Sequence, residues 1–272
     1  MRNPALSLLL AAAAIVSIAA VPAVAAAEGP LRATYAVRWG GIEIGRFSTE
    51  LRRSEGLTGE SYHLAYQART SGPLRWVVGL ESDGWAAGQL VDGVVRPEHF
   101  RGQSSWRDGE GYWRVSFDAD GLAREVELDA ATRDDREPVP EALRRGPDPL
   151  SLMLEAMQLA AAGAILEGRS FDGRRAMRYS LACAAEPSPI QPAALGAAAR
   201  DALVCTADGE LVAGRSKRWG ERADEQTRER SPVRVWLVPE LGGMPHWPVR
   251  IEATSRWGTV TVELETFSDP AA

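Results

Sequence analysis

The sequence predicts a mainly β protein, a barrel or strongly curved antiparallel sheet with one packed α-helix. Three observations carry this. Apolar and polar residues alternate with period two through most of the chain. Asp-Gly and Gly-Gly dipeptides, strong turn formers, recur between the alternating runs. A single stretch combines helical spacing with a start signal.

In chain order, Tyr35, Val37 and Trp39 alternate with Ala36 and Arg38, and Gly40-Gly41 marks a hairpin. Ile42 and Ile44 resume the alternation. Phe47, Thr49 and Leu51 continue it on a shifted face after Gly45, the signature of a β-bulge. Tyr62, Leu64, Tyr66 and Ala68 form another period-two run against His63, Ala65, Gln67 and Arg69. Further strands are expected over 76–85, 98–106, 112–117 and 123–128, separated in part by Asp92-Gly93, Asp108-Gly109 and Asp120-Gly121. Short strands at regular spacing suit a barrel or a bent sheet. Residues 129–147 are charged and proline-bearing and read as a surface linker. Asp148 is a good N-cap and Pro149 suits the first helical position. Leu150, Met153, Leu154, Met157 and Ala161 then share one face, giving a helix over about 149–162 that Gly163 ends. This helix is expected to pack on the sheet and plug its mouth. Strands resume at Arg169, with a turn at Asp172-Gly173 and alternation at Met177, Tyr179 and Leu181. Residues 186–199, rich in Pro and Ala, read as a flexible or partly helical insertion. Strands follow at 202–206, 211–219, 232–238, 248–257 and 259–267, with 239–248 as a long connection and 223–230 as a charged loop.

The first residues point to export. Met1-Arg2 precede an uncharged run of apolar and small residues to Val24, and Ala23 to Ala27 offer two small-x-small cleavage sites. Residues 1–27 are therefore expected to be a signal peptide; a membrane anchor is the alternative, since the run is near the spanning minimum. The remaining chain from Glu28, about 245 residues, suffices for a single β-rich domain over 28–272. No later segment is long and apolar enough to span a bilayer. The expected location is the periplasm.

The formal charge of −6 argues against nucleic acid as a partner. Lys217 is the only lysine, so the cationic charge is almost all arginine. Cys183 and Cys205 in an exported chain suggest one disulfide, worth about 3 kcal/mol by loop closure; two free thiols are the alternative. His63, His99 and His246 lack metal-site spacing, and there is no G-x-S-x-G elbow or phosphate-binding glycine loop. Glu81 with Asp83, and Glu263 with Glu265, are same-face acid pairs that read first as solvated. No catalytic residue, metal or cofactor is assigned.

Nine tryptophans carry more information. Large aromatics in a bent sheet either fill its core or line a cavity for an apolar ligand. Core filling is the simpler reading, because a barrel of this size needs bulk inside. Trp39, Trp76, Trp85, Trp106, Trp113, Trp236 and Trp257 are the candidates for a ligand-binding face.

Several segments together resemble a known bacterial family, the domain of unknown function DUF3108. Tyr35 to Gly45, with Gly41 and Gly45 four apart, resembles its opening. Asp148-Pro149-Leu150-Ser151-Leu152 resembles its D-P-L-S helix start, and Phe171-Asp172-Gly173-Arg174-Arg175 followed by Tyr179 its F-D-G-(K/R)-R strand. Pro248 to Glu252 and Trp257-Gly258 resemble its closing strands. The Cys183–Cys205 segment matches nothing in that pattern. The resemblance implies an exported protein and a half-barrel or β-spiral similar to that of lipoprotein carriers; it implies no catalytic residues.

Export, β-richness and abundant tryptophan lead to the expectation of a non-enzymatic, periplasmic envelope-maintenance protein. Its partner would be a lipid-like or amphipathic molecule, or an envelope protein, held on a concave aromatic face. A periplasmic hydrolase acting on envelope glycan or lipid is one alternative. A structural or scaffolding partner is the other.

Overall fold

A computed structural model describes residues 29–56, 59–72, 74–77, 79–107, 109–196, 198–217, 232–255 and 258–270. The expected signal peptide, Trp219, the charged loop at 223–230 and Trp257 lie outside the described residues.

The chain opens with three long strands, β1 (Leu31–Trp39), β2 (Ile42–Gly56) and β3 (Gly59–Thr70). A short helix, α1 (Leu74–Val77), leads into β4 (Glu81–Val91), β5 (Val94–Trp106), β6 (Gly109–Phe117) and β7 (Ala123–Leu128). Helices α2 (Ala130–Asp135) and α3 (Pro149–Leu159) come next. The second run of strands is β8 (Ile165–Phe171), β9 (Ala176–Cys183), β10 (Ser188–Ile190), β11 (Arg200–Ala213), β12 (Val233–Leu241), β13 (Met244–Ser255) and β14 (Gly258–Ser268). All join one antiparallel 14-stranded sheet in the order β7-β6-β5-β4-β3-β2-β1-β14-β13-β12-β11-β9-β8, with β10 paired to β11. The first and last strands thus pair with each other, β1 against β14, and join the two halves. The edge strands β7 and β8 do not pair, so the sheet is bent but not closed.

Two devices hold the unclosed edges together. The linker after β7 bonds to the chain after β11: Glu137 N–H to Arg215 O at 2.9 Å, Lys217 N–H to Asp135 O at 2.6 Å, and Arg136 Nη1 to Gly214 O at 2.9 Å. The β8–β9 hairpin reaches across to β6, where the Arg174 guanidinium lies 3.5 Å from the centre of a Trp113 ring. Helix α3 then fills the concavity, touching β3, β4 and β5 on one side and β8 and β13 on the other. Its Leu150, Leu154 and Met157 are buried in the main core with Leu51, Leu64, Phe100, Val115, Phe171 and Trp247. Burying each such side chain stabilises the fold by about 1.5–3 kcal/mol.

The inner face shows how so tight a bend is packed. Tyr62 and Tyr66 on β3 stand directly opposite Gly88 and Gly84 on β4. Trp113 stands opposite Gly102, and Tyr179 opposite both Gly168 and Gly209. A Cβ at Gly102 would lie 2.4 Å from the Trp113 ring, and one at Gly168 would lie 2.6 Å from the Tyr179 hydroxyl. At Gly84, Gly88, Gly102 and Gly168 the ring opposite occupies space that a side chain would need.

The half-barrel with a packed helix is as the sequence predicts, and so is the register shift near Gly45, where Val37 faces Gly45 but Arg38 faces Glu43. Several boundaries differ. Helix α3 stops at Leu159, because Ala160 adopts an extended ψ of 134°, and Gly163 serves the following turn with φ 73°. Trp76 lies in α1 rather than in a strand. Residues 239–248 form no long connection: Glu240, Gly242 and Gly243, with φ of 53°, 63° and 65°, make a tight β12–β13 turn. Pro248 is accommodated because it flanks the register shift at Trp236/Leu237, where the ladder is already interrupted. The expected strands at 202–206 and 211–219 merge into β11. In the segment 186–199, β10 pairs with β11, a 3-10 turn follows at Ala193–Leu195, and Ile190 and Leu195 pack on the core. Cys183 and Cys205 face each other across β9 and β11 and form a disulfide.

Substituting Gly102 with Ala should destabilise the protein by about 1–3 kcal/mol, because the new methyl group must displace the Trp113 ring or the strand beneath it. Urea unfolding monitored by tryptophan fluorescence checks this; an unchanged midpoint would show that the ring does not need the glycine.

Candidate functional site

The position of α3 is set by its first turn. Asp148 Oδ1 accepts the N–H groups of Leu150 at 2.9 Å and Ser151 at 3.0 Å. Its Oδ2 accepts the Ser151 hydroxyl at 2.5 Å, and the Ser151 oxygen meets the Tyr62 hydroxyl on β3 at 2.7 Å. The D-P-L-S segment is therefore a cap that also fastens the helix to the sheet. Asp148 is completely buried. Burial outweighs the bonds from Ser151 and Leu150 and pushes its carboxyl up to about 6.

With one face of α3 committed to the core, the opposite face overhangs the inner surface of β8, β9, β11, β12 and β13. Between them is a cleft of about 240 Å³. Leu152 and Ala156 form its helix side, and Leu166, Leu181, Val235 and Ile251 its sheet side. At the helix side stands Glu155, half-buried, with no hydrogen bond or ion pair from a described residue. Burial raises its carboxyl above the ordinary range. Tyr179, also in the lining, is pushed up to about 12, first by burial and then by the charge of Glu155. Gly168, opposite this ring, leaves it room. An apolar cleft with a small polar group set at its edge can hold an apolar moiety and orient whatever polar head it carries.

The tryptophans singled out from the sequence are dispersed. Trp113 is buried under Arg174 on the inner face, as core. Trp85 is half-buried on the outer face, stacked on His63 at 5.3 Å. Trp236 lies beneath Arg234 and Arg250, whose guanidinium carbons are 5.0 and 5.4 Å from its ring centre. Those arginines belong to a charged ladder: Arg234–Glu252 at 2.6 Å, Arg250–Glu263 at 3.2 Å and Arg38–Glu263 at 2.7 Å. Trp39, Trp76 and Trp106 are exposed by 45%, 84% and 41%. They sit on hairpin ends at the same rim of the sheet, together with Ile42, exposed by 69%. None of these described tryptophans lines the cleft. The inner aromatic face is made largely of Tyr35, Tyr62, Phe100, Trp113 and Trp247, packed against one another and α3. Tyr35 and Trp247 are further tied by an indole N–H to hydroxyl bond of 2.9 Å, and the Tyr35 hydroxyl donates to Pro248 O at 2.9 Å.

The groups that could suggest chemistry have structural roles here. The F-D-G-R-R turn buries Asp172, which accepts the N–H groups of Arg174 and Arg175 at 2.8 and 2.7 Å and the Arg175 Nε at 2.9 Å. Burial pushes the Asp172 carboxyl up, but Arg175 and Arg174 outweigh it and hold it below the ordinary range. The Asp148–Ser151–Tyr62 chain is buried from solvent and lacks a histidine. Ser116 Oγ and His99 Nδ1 are 3.4 Å apart on the exposed face. Among the described residues, no three His, Cys, Asp or Glu side chains gather as a metal site, and no helix is long and apolar enough to cross a membrane.

The raised carboxyl of Asp148 has a signed consequence for stability. Its folded value of about 6 lies above the ordinary 3.8, so the unfolded chain ionises first as pH rises. Its contribution is complete below about pH 4 and is lost by about pH 7, a loss on the order of 3 kcal/mol. Asp148→Asn keeps an oxygen for the helix N–H groups but cannot ionise, so it should gain on the wild type by that amount across the interval. Unfolding free energies from pH 3.5 to 7.5 measure it, and parallel curves would contradict the assignment.

Comparisons with known proteins agree with the fold. The family model described as "Protein of unknown function (DUF3108)" matches residues 34–265. No curated protein matches significantly. Among solved structures, the chain is similar to a beta-barrel-like protein of the domain of unknown function DUF1849 from Brucella abortus, at 14% identity and a TM-score of 0.50. That similarity covers 90% of this chain and 99% of the other, and it concerns the fold alone.

Proposed function

The chain belongs to the DUF3108 family, and from that premise we propose that it is an exported, non-enzymatic envelope protein that shelters the apolar part of an amphipathic ligand in the cleft beside α3. One observation carries this reading: the inner face of the sheet and the outer side of α3 leave apolar walls uncovered around about 240 Å³. The leader-like residues 1–27 support the location. The volume limits the cargo. Pockets that enclose a drug-sized ligand run from about 300 to 1,000 Å³. This cleft takes one apolar chain or one large apolar side chain, and the remainder of the ligand stays outside. In this reading the protein protects and positions a hydrophobic group that water would otherwise aggregate.

The test is to purify the protein from its native host and identify extracted lipids and other amphiphiles by mass spectrometry, beside Ala156→Trp, which fills the cleft. Wild-type protein should carry a bound amphiphile, and the variant about tenfold less with its unfolding midpoint retained. Protein that is empty from its native host, or a variant loaded like the wild type, would end this reading.

The scaffolding alternative draws on a separate observation, the exposed rim of Trp39, Ile42, Trp76 and Trp106. Exposed apolar groups gathered at one end of a fold mark interaction surfaces. Replacing Trp76 and Trp106 with Ser should abolish in-cell cross-links from a photoreactive side chain at position 42 and leave cleft binding intact. Undiminished cross-links would exclude the rim.

A further inference from the structure

The lining of the cleft is charged with one sign. Among the described residues it contains two acidic ones, Glu155 and Asp208, and no lysine, arginine or histidine. Asp208 is engaged locally, its Oδ1 accepting the N–H of Gly209 at 2.8 Å. Glu155 is different: it projects from a rigid helix beside Leu152 and Ala156, and no described residue offers it a proton donor or a cation. Elsewhere the carboxylates of Asp148, Asp172, Glu252 and Glu263 all have partners: Asp148 takes hydrogen bonds from Leu150 and Ser151, and the other three take arginines. Asp172 has Arg174 and Arg175, Glu252 has Arg234 and Arg250, and Glu263 has Arg38 and Arg250. A carboxyl left without a partner at the edge of an apolar cleft is costly unless something else supplies the donor.

We propose that the cleft selects amphiphiles whose apolar chain ends in a cationic, hydrogen-bond-donating head, an ammonium group above all, with Glu155 as its acceptor. This rests on the cleft being the binding site and adds the chemistry of the head. An ammonium carries three donors and suits a single carboxylate as a compact point charge. Tyr179 also lines the cleft, and its hydroxyl offers a second oxygen acceptor there. A fatty carboxylate would bring a like charge against Glu155, with no base among the described residues of the lining to offset it. A neutral alcohol would gain one hydrogen bond without charge. The expected order of affinity is therefore ammonium, alcohol, carboxylate. The chain's overall formal charge of −6 acts in the same direction on approach.

The experiment uses three probes with the same ten-carbon chain, decylamine, decanol and decanoate, titrated at pH 7.5 into the whole purified protein below their aggregation limits. Displacement of an apolar fluorophore reports occupancy, and Glu155→Gln and Asp208→Asn are run beside the wild type. Decylammonium should bind about tenfold or more tightly than decanol, and decanoate more weakly than both. Glu155→Gln should bring decylammonium down to the level of decanol and leave decanol unchanged, while Asp208→Asn keeps the preference. Because Glu155 makes no side-chain bond to a described residue, its variant should keep the wild-type unfolding midpoint. Equal or tighter binding of decanoate, or a preference that survives Glu155→Gln, overturns the proposal while leaving the cleft as a site. If none of the three probes binds, the cleft itself fails as the site and this inference with it.

Discussion

Rings lying on glycines are the interaction from which the rest of this structure follows. The concave side of a strongly bent sheet has less area than the convex side, so inward side chains crowd as the bend tightens. Here the crowding is relieved by pairing: Tyr62 on Gly88, Tyr66 on Gly84, Trp113 on Gly102 and Tyr179 on Gly168. Each glycine surrenders a side chain, and the ring opposite covers the bare backbone and replaces the lost apolar contact. The bend left by this exchange is deep enough to admit an eleven-residue helix.

An unclosed barrel also needs something to keep its edges from separating. The sheet cannot do this alone, since β7 and β8 exchange no ladder hydrogen bonds. The F-D-G-R-R turn supplies part of the answer. Asp172 orients Arg174 and Arg175 by accepting their main-chain N–H groups, and Arg174 is laid on Trp113 of β6. Gly173 allows the close approach, because a Cβ there would lie 2.8 Å from Val115. The D-P-L-S segment supplies the other part by fixing α3 to β3 through Asp148, Ser151 and Tyr62. The most recognisable segments of the sequence are thus fastenings. A search for chemistry in them finds buried carboxylates that already have partners.

This explains what the sequence did and did not reveal. Strand alternation, the bulge beside Gly45 and the start of α3 are local properties of dihedral preference and hydrogen bonding, and they are legible residue by residue. The tight β12–β13 turn was obscured because proline and glycine there suggest a long loop, whereas Glu240 takes a left-handed conformation that only the fold reveals. The tryptophans misled for a related reason. Size alone suggests that Trp85 points inward, but its neighbours Gly84 and Ala86 are the buried ones, because small residues are what the crowded inner face requires. The glycine spacing in β4 was the available signal. The cleft had no local signal at all. Its walls come from five strands and a helix, and Glu155 resembles any acidic residue on an amphipathic helix until its surroundings are seen.

The same logic locates the proposed selectivity away from the recognisable motifs. Helix α3 has two faces under different constraints. One is fixed by Leu150, Leu154 and Met157 in the core and cannot change without opening a cavity there. The other overhangs apolar strands without filling the space above them, so Leu152 and Glu155 are free to vary at little cost to the fold, while Ala156 packs on the second core cluster. A binding surface carried by a rigid, capped helix keeps its geometry when its side chains change, since the cap and the core set the helix position independently of the cleft. The fastening at Asp148 holds the scaffold, and the proposed selectivity rests on residues four to eight positions further along the same helix.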